Sequence, residues 1–196
     1  MQRTPGRKEA SHDRIVHAAA RAIRRGGYDG VGVAEIMKSA GLTHGGFYAH
    51  FASRDAMLAE AVERAGKEAA AAVAGKIEAR RAEGASPLRA LVESYLSNSH
   101  LRATETGCPV AALGSEMRRQ SPEVRSASAT GVRALMARVQ EALPAGSSAE
   151  QSMAITSTLV GALQLARTFG ENAQGKAVLV AAREVLLAQY DQALRP

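Results

Sequence analysis

Apolar residues recur every three or four positions along most of this chain, the spacing that places side chains on one face of an α-helix. The first run carries its apolar face at Ile15, Ala18, Ala19, Ala22 and Ile23. Ser11 would cap the start of this helix, and the glycine-rich sequence GGYDG would end it. No stretch alternates polar and apolar residues with the period of two expected of a half-buried strand. The pattern therefore predicts an all-α fold of about nine helices.

Capping and helix-breaking residues divide the rest of the chain. Short helices are expected over 34–40 and 43–51, and a long helix then begins at Ser53 and ends near residue 83. Ser86 and Pro87 fit the cap and the first turn of the next helix. Breaks rich in glycine, proline and serine separate four later helices, expected near 110–119, 122–142, 149–169 and 176–194.

A cluster of aromatic and histidine residues occupies the sequence MKSAGLTHGGFYAHF, positions 37–51. Its two short helices, joined by a tight turn at Gly41 that favours a positive φ, form the pattern of a helix-turn-helix. The apolar contacts that fix the angle between these two helices are predicted to come from Ile36, Leu42, Phe47 and Phe51. The remaining face is polar, and such a face can approach the phosphates and base edges of DNA.

The segment from Asp13 to Ala61 resembles the N-terminal DNA-binding domain of the TetR family of bacterial transcriptional regulators. The resemblance is carried by the short motifs RI, AA, GY, AGL, YAHF and RDAML, which occur in that order. It implies an N-terminal arm and a three-helix, helix-turn-helix DNA-binding domain over 1–52. The region 53–196 would then be a helical domain for effector binding and dimerisation.

The resemblance also implies which residues meet DNA. They are Arg3, Arg7, Lys8, Thr43, His44, Gly45, Tyr48, His50 and Arg54. The first three would form a flexible arm along the duplex, the next three would contact bases and sugars, and the tyrosine and second histidine would contact phosphates. Arg54 would hold the DNA backbone from the start of the long helix.

The charge distribution agrees with a polyanionic partner. The chain has a formal net charge of +6, and residues 1–52 hold eight of its lysines and arginines against four acids. Arg24 and Arg25 are interpreted differently from the DNA contacts. They lie at the end of the first helix, where cations complement the helix dipole, and solvation is expected for both.

The last two predicted helices, near 149–169 and 176–194, are apolar on one face. The resemblance implies that they pack against a second copy as a four-helix dimer interface, and an internal core helix is the alternative. Because one short recognition helix reads few base pairs, the expected partner is a double-stranded, palindromic operator with half-sites about 34 Å apart. The residues expected near a small-molecule inducer are Tyr95, Asn98, His100, Cys108, Met117, Met136, Gln164, Arg167 and Phe169.

Cys108 is the single cysteine, which excludes an internal disulfide and a multi-cysteine zinc site. Its sequence GCPVAAL resembles a segment of a subset of the family, some of whose members respond to electrophiles through cysteine. A small buried residue at a helix start is the favoured interpretation, and a reactive thiol is the alternative.

Other classes of function lack support in the sequence. No apolar run approaches the roughly 20 residues of a membrane-spanning helix, so no membrane partner and a cytoplasmic location are expected. No paired carboxylates, metal-ligand spacing or phosphate loop indicates an enzyme, a metal or a cofactor. The predicted function is a homodimeric transcriptional repressor released from its operator by a small-molecule inducer. A transcriptional activator on the same fold and an all-α small-molecule-binding protein that never contacts DNA are the alternatives.

Overall fold

The computed structural model describes residues 6–191, and the regular secondary structure within that range is helical. Nine α-helices and one 3₁₀ helix occur in the described chain, and no strand is present there. The α-helices are α1 Arg7–Gly26, α2 Val33–Ser39, α3 Arg54–Ala82, α4 Pro87–Tyr95, α5 Asn98–Arg102, α6 Pro109–Met117, α7 Pro122–Ala142, α8 Ala149–Phe169 and α9 Ala173–Tyr190. The 3₁₀ helix, His44–Ala49, lies between α2 and α3. The all-α prediction is confirmed.

Helix α1 begins at Arg7, four residues before the predicted cap at Ser11. The backbone N–H of Gly6 donates to the carboxylate of Glu9 at 2.9 Å, so a first-turn glutamate helps to satisfy the free end of the helix. Arg7 and Lys8 therefore lie exposed on a helical turn, and their assignment to a flexible arm was wrong. Arg3, the remaining residue of that arm, lies outside the described residues.

Serine caps set several later helix starts. The hydroxyl of Ser53 accepts from Ala56 N–H at 3.0 Å before α3, and the hydroxyl of Ser86 accepts from Arg89 N–H at 3.0 Å before α4. A third cap divides a segment that was expected to be one helix. There, the hydroxyl of Ser97 accepts from the N–H of His100 at 3.2 Å and caps α5, which begins at Asn98, three residues after α4 ends at Tyr95.

The chain forms two compact units. The first combines the chain up to Glu68 with Glu105–Gly131, and the second combines Ala69–Thr104 with the chain from Val132 onward. The domain boundary expected after residue 52 stays a prediction, but the first unit extends beyond it in two places. It takes in the first half of α3, and it also takes in α6 with the start of α7.

The core of the first unit explains this composition. Its most buried side chains come from α1, α2, the 3₁₀ helix and the start of α3, and Leu113 of α6 and Val124 of α7 are also fully buried in the same cluster. Burying one leucine side chain contributes about 1.5–3 kcal/mol. Helix α6 and the start of α7 are therefore part of the core that supports the helix-turn-helix.

The second unit is built on α8 and α9, which pack against each other, with α4 against α9 and α5 against α8. Ile155, Leu159 and Leu163 line the inner face of α8, with exposed fractions of 0%. The buried carboxylate of Asp191 accepts from the Ser86 hydroxyl at 2.7 Å and from Arg89 Nε at 3.0 Å. These two hydrogen bonds connect the residue that follows α9 to the start of α4.

Candidate nucleic-acid interface

The turn between α2 and the 3₁₀ helix has a specific hydrogen-bond pattern. Leu42 N–H donates to the Met37 carbonyl at 2.9 Å, and Gly41 N–H donates to the Lys38 carbonyl at 3.0 Å. This is the Schellman arrangement, which needs a left-handed residue after the helix, and Gly41 has a φ of 69°. The predicted positive φ at Gly41 is confirmed, and the turn fixes the direction in which the next helix leaves.

The second helix of the motif is a 3₁₀ helix that ends two residues earlier than predicted. Gly46 N–H donates to the Thr43 carbonyl at 3.1 Å, and His50 N–H donates to the Phe47 carbonyl at 2.9 Å, both with the i to i+3 spacing. The pair Gly45 and Gly46 explains the departure, because glycine is a poor α-helix former and short helical segments readily tighten to 3₁₀ geometry.

The aromatic cluster divides into the two predicted faces. The side chains of Phe47 and Phe51 are 2% and 3% exposed, and their ring centroids lie 5.5 Å apart. Tyr48, which adjoins Phe47 in the sequence, is 76% exposed. Thr43, His44 and Gly45, at the start of the motif's second helix, are exposed as well. The two buried phenylalanines therefore hold the 3₁₀ helix so that the hydroxyls of Thr43 and Tyr48, the imidazole of His44 and the backbone at Gly45 face outward.

His50 lies at the edge of this surface and is half-buried. Its ring centroid is 6.0 Å from that of His12, and its Nδ1 atom is buried without a hydrogen-bond partner among the described residues. Burial lowers the pKa of His50, and the nearby charges of His12 and Lys8 lower it further. The neutral imidazole is therefore favoured, and Nε2 is the ring nitrogen that remains for an external contact.

Arg54, the first residue of α3, is half-buried and already has a protein partner. Its guanidinium donates to the backbone carbonyl of Tyr28. An arginine carries five N–H donors in a fixed planar fork, so this bond orients the group without using all of its donors. Contact of Arg54 with the DNA backbone stays a prediction, and the Tyr28 carbonyl is a partner that sequence reasoning missed.

A buried arginine corrects the expectation that both Arg24 and Arg25 are solvated. The Arg24 side chain is 0% exposed, and it donates to the carbonyl of Ala65 at 3.2 Å and to the carboxylate of Glu68 at 2.7 Å. It also donates to the carbonyl of Gly107 at 3.5 Å. Arg25 remains on the surface, where its ion pairs with acidic residues are long.

A buried position for Arg24 was visible in the spacing of α1. Val16, Ala20 and Arg24 follow at intervals of four, so the arginine continues the apolar side of the helix. The pairing with Glu68 and Gly107 was not visible, because those partners are far away in the sequence.

Two comparisons with known protein families decide the identity. Residues 15–61 match the model of bacterial regulatory proteins of the tetR family. Residues 84–181 match the model of the tetracyclin repressor-like C-terminal domain.

The chain belongs to the TetR family. It is a DNA-binding transcriptional regulator with a helical C-terminal domain, and both matched families are regulators rather than enzymes.

Individual relatives and solved structures agree with this assignment. A protein from two strains of Mycobacterium tuberculosis, described as an uncharacterized HTH-type transcriptional regulator, is 29% identical over 199 residues, which is 95% of this chain and 100% of the relative. Among solved structures, the reduced form of Escherichia coli NemR has a TM-score of 0.69 at 20% identity, covering 89% of this chain and 95% of its own. A TetR-family regulator from Cytophaga hutchinsonii has a TM-score of 0.73 at 15% identity, with coverage of 96% and 98%. At these identities, the two structures show the fold.

Nine residues were also predicted from the sequence to lie near an effector, and the structure distributes them over both compact units. Cys108 and Met117 belong to the first unit, whereas the other seven belong to the second. Within the second unit, Tyr95 and His100 are buried together, with ring centroids 4.7 Å apart. Arg167 lies beside them and donates to the His100 carbonyl at 3.1 Å.

The His100 ring is held in its neutral form. Burial lowers the pKa of His100 to about 4, with further lowering from the charges of Arg167 and Lys76, and its hydrogen bond to the Tyr95 carbonyl opposes the shift only in part. Asn98 and Phe169, in contrast, are exposed, and Met136 and Gln164 are half-buried. Buried Tyr95 and His100, with half-buried Arg167 beside them, thus bring three of the nine predicted residues together in the second unit.

Cys108 is 7% exposed and occupies the position just before α6, where its side chain makes no capping hydrogen bond. This burial agrees with the favoured interpretation of a small packed residue. A cleft of about 460 Å³ lies elsewhere in the first unit, along α1 and the end of α2. None of the nine predicted effector residues lines that cleft.

No group of histidines, cysteines and carboxylates in residues 6–191 has the arrangement of a metal site. No helix in the same part of the chain is long and apolar enough to cross a membrane.

Proposed function

We propose that this regulator is a homodimeric repressor that binds a palindromic operator and is released from it by a small-molecule inducer. The observation that carries the proposal is the outward face of the 3₁₀ helix. Tyr48 is largely exposed there, while its neighbour Phe47 is anchored in the core and Gly41 fixes the preceding turn. Operator DNA lies in the bacterial cytoplasm, and we place the protein there.

The assignment of DNA contacts follows from this face. Thr43, His44 and Gly45 begin the 3₁₀ helix and are exposed, so base edges and sugars are the proposed partners. Tyr48 and the Nε2 atom of His50 are proposed to donate to phosphates. The proposed backbone contacts outside the 3₁₀ helix come from the cationic side chains Arg7, Lys8 and Arg54.

Selection of bound duplexes from a random DNA library at physiological salt tests this interface. The wild-type protein is expected to enrich a palindrome whose half-sites lie about one helical turn apart. The double variant Tyr48→Ala, His44→Ala should enrich none, while Ser126→Ala, a change at an exposed position of α7, should behave as wild type. Equal enrichment by the double variant and the wild type would contradict the assignment.

The proposed dimer interface is an apolar surface on α8 and α9. Of the six large apolar side chains exposed in the described chain, five lie on these two helices: Met153, Leu165, Phe169, Val180 and Val185. Leu165 and Val185 are 57% and 60% exposed. Large exposed apolar side chains concentrated on two helices that pack together are typical of an interface, and a second copy of the chain is the proposed occupant.

Sedimentation equilibrium tests the dimer. The double variant Leu165→Glu, Val185→Glu places four unpaired carboxylates in the proposed interface and should shift the protein to monomers. Ala137→Glu adds a carboxylate at an exposed position of α7 and should leave the dimer intact. Dimers of the double variant that are as stable as those of the wild type would exclude this surface.

The proposed inducer binds in the second unit, and the buried pair Tyr95 and His100, with half-buried Arg167 beside it, supports this location. Release of DNA would be a population shift, because the inducer would stabilise a form whose recognition helices are wrongly spaced for the operator. Helix α3 contributes residues to both units and is the proposed coupling element. A compound that binds tightly and leaves operator affinity unchanged would not be an inducer in this sense.

A further inference from the structure

Tyr28, in the loop after α1, is bound through all of its polar groups. Its side chain is 0% exposed, and its backbone N–H donates to the Glu116 carboxylate at 2.9 Å. Its backbone carbonyl accepts from Arg54, and its hydroxyl lies 3.1 Å from Ser128 Oγ. Tyr28 therefore cannot move without breaking at least one of these bonds.

The hydroxyl contact has a defined direction. Ser128 Oγ donates to the Val124 carbonyl at 2.8 Å, so the single serine proton is used there and the Tyr28 hydroxyl is the donor to Ser128. Burial raises the pKa of Tyr28, and the nearby charge of Glu116 raises it further. The hydroxyl thus stays protonated and able to donate at physiological pH.

The Glu116 carboxylate is closely fitted against the backbone before Tyr28. Gly27 has a φ of 78°, and a Cβ atom placed on it would lie 2.7 Å from Glu116 Oε1. That distance is too short for any side chain to occupy the position without displacing the carboxylate. Glu116, near the C-terminal end of α6, therefore fixes the turn that ends α1.

The same turn fixes Arg54. The bond from the Arg54 guanidinium to the Tyr28 carbonyl determines where its remaining N–H donors point. We propose that Glu116 is a positioning residue for DNA binding, because it holds Tyr28 so that the Tyr28 carbonyl orients Arg54 toward the DNA backbone. The inference rests on the proposed function, since it concerns the operator contact made by Arg54.

Simple electrostatics predicts the opposite effect of removing Glu116. An acidic side chain near a DNA-binding surface repels phosphates, and its loss should strengthen binding or leave it unchanged. Loss of a positioning carboxylate should weaken binding, although the protein becomes more positive. The sign of the change therefore separates the two explanations.

The experiment compares Glu116→Ala with Glu123→Ala, which removes the same charge from the exposed first turn of α7. Operator affinity is measured by fluorescence anisotropy with a labelled palindromic duplex from the selection, at several salt concentrations. Glu116→Ala should bind about five- to tenfold more weakly, and Glu123→Ala should bind within about twofold of wild type. Glu116→Gln keeps an acceptor for Tyr28 N–H and should recover most of the affinity.

An Arg54→Ala background tests the route through Arg54. In that background, Glu116→Ala should cause no further loss of affinity, because the contact that it positions is already absent. Arg54→Ala should also reduce the slope of log affinity against log salt by about 0.9, the value for one phosphate contact. Glu116→Ala should reduce the slope in the same direction, and Glu123→Ala should not.

Stoichiometric titration with the operator gives the active fraction of each variant, so loss of folded protein is separated from loss of affinity. If Glu116→Ala is not folded, Ser128→Ala, which frees the Tyr28 hydroxyl, should weaken binding in the same direction. Unchanged or tighter operator binding by folded Glu116→Ala or Ser128→Ala would overturn the inference. An equal loss of operator affinity from Glu116→Ala in the wild-type and Arg54→Ala backgrounds would overturn it as well. Absence of operator binding by the wild-type protein would overturn the proposed function instead.

Discussion

The buried arginine of α1 gives the most quantitative prediction for stability. Arg24→Met keeps most of the apolar stem but removes the donors to Ala65, Glu68 and Gly107. A hydrogen bond to a charged group contributes about 1.5–3 kcal/mol, and leaving one partner of a fully buried ion pair costs about 3–5 kcal/mol. Because the side chain of Glu68 is 25% exposed and can recover some hydration, the expected loss in the free energy of unfolding is about 2–4 kcal/mol.

Urea denaturation at pH 7 measures this loss, and Arg25→Met is the matched control. Arg25 is the next residue of the same helix, but its side chain is 55% exposed and its ion pairs to Glu35 and Glu105 are both 3.4 Å long. The control should cost less than about 1 kcal/mol. The double variant Arg24→Met, Glu68→Met removes both partners and should recover part of the stability.

The pH dependence of the Arg24→Met effect gives a second check. Burial raises the pKa of Glu68, but hydrogen bonds from Arg24 and His17 lower it more, so its pKa lies below the usual 4.5. A depressed carboxyl pKa stabilises the folded state above pH 4.5, and this contribution is lost as the pH falls through the folded value. The difference between the wild type and Arg24→Met should therefore narrow in acid. A loss in unfolding free energy for Arg24→Met no larger than that for Arg25→Met would refute the reasoning. A stability difference between wild type and Arg24→Met that does not narrow in acid would refute it too.

Two further predictions concern His100 and Gly41. The pKa of His100 is about 4 in the folded chain against 6.5 unfolded, so stability is complete above pH 6.5 and should fall by about 3 kcal/mol as the pH drops toward 4. In urea denaturation at several pH values, His100→Gln should remove this dependence of the unfolding free energy on pH, and the exposed control His44→Gln should not. An unchanged pH dependence in His100→Gln would contradict the assignment. Gly41→Ala should cost about 1–2 kcal/mol of unfolding free energy because φ is 69°, whereas Gly45→Ala, at a position without a positive φ, should be neutral or slightly stabilising. Equal effects of the two alanines would show that the turn is not under this constraint.

Local features of the fold were predictable from the sequence. The helix starts at Ser53 and Ser86 and the positive φ of Gly41 depend on residues within four positions, and the chain shows them directly. The separation of Phe47 from Tyr48 followed from helical periodicity and survived the change to 3₁₀ geometry. A start at Arg7 was missed because a carboxylate, rather than the expected serine, contributes to the cap.

Features that depend on distant partners were not predictable. Glu116 and Ser128 contact Tyr28 across intervals of 88 and 100 residues, and Arg24 reaches Gly107 across 83. No local pattern encodes such pairings. From the sequence, α6 was therefore assigned only to the effector-binding domain, although it contributes to the core of the first unit. Arg54 was assigned to DNA from its position after the motif, whereas its bond to Tyr28 needed the folded chain.

Sequence-specific recognition of DNA is the central claim, and it is tested most directly by a ratio of affinities. The wild-type protein is titrated with the selected palindrome and with a scrambled duplex of equal length and composition, at physiological salt. The palindrome should bind about 10³-fold or more tightly, and His44→Ala, which removes a proposed base contact, should reduce that ratio. Equal affinities for the two duplexes, with the same steep salt dependence, would mean that basic charge alone binds the DNA and would contradict the account.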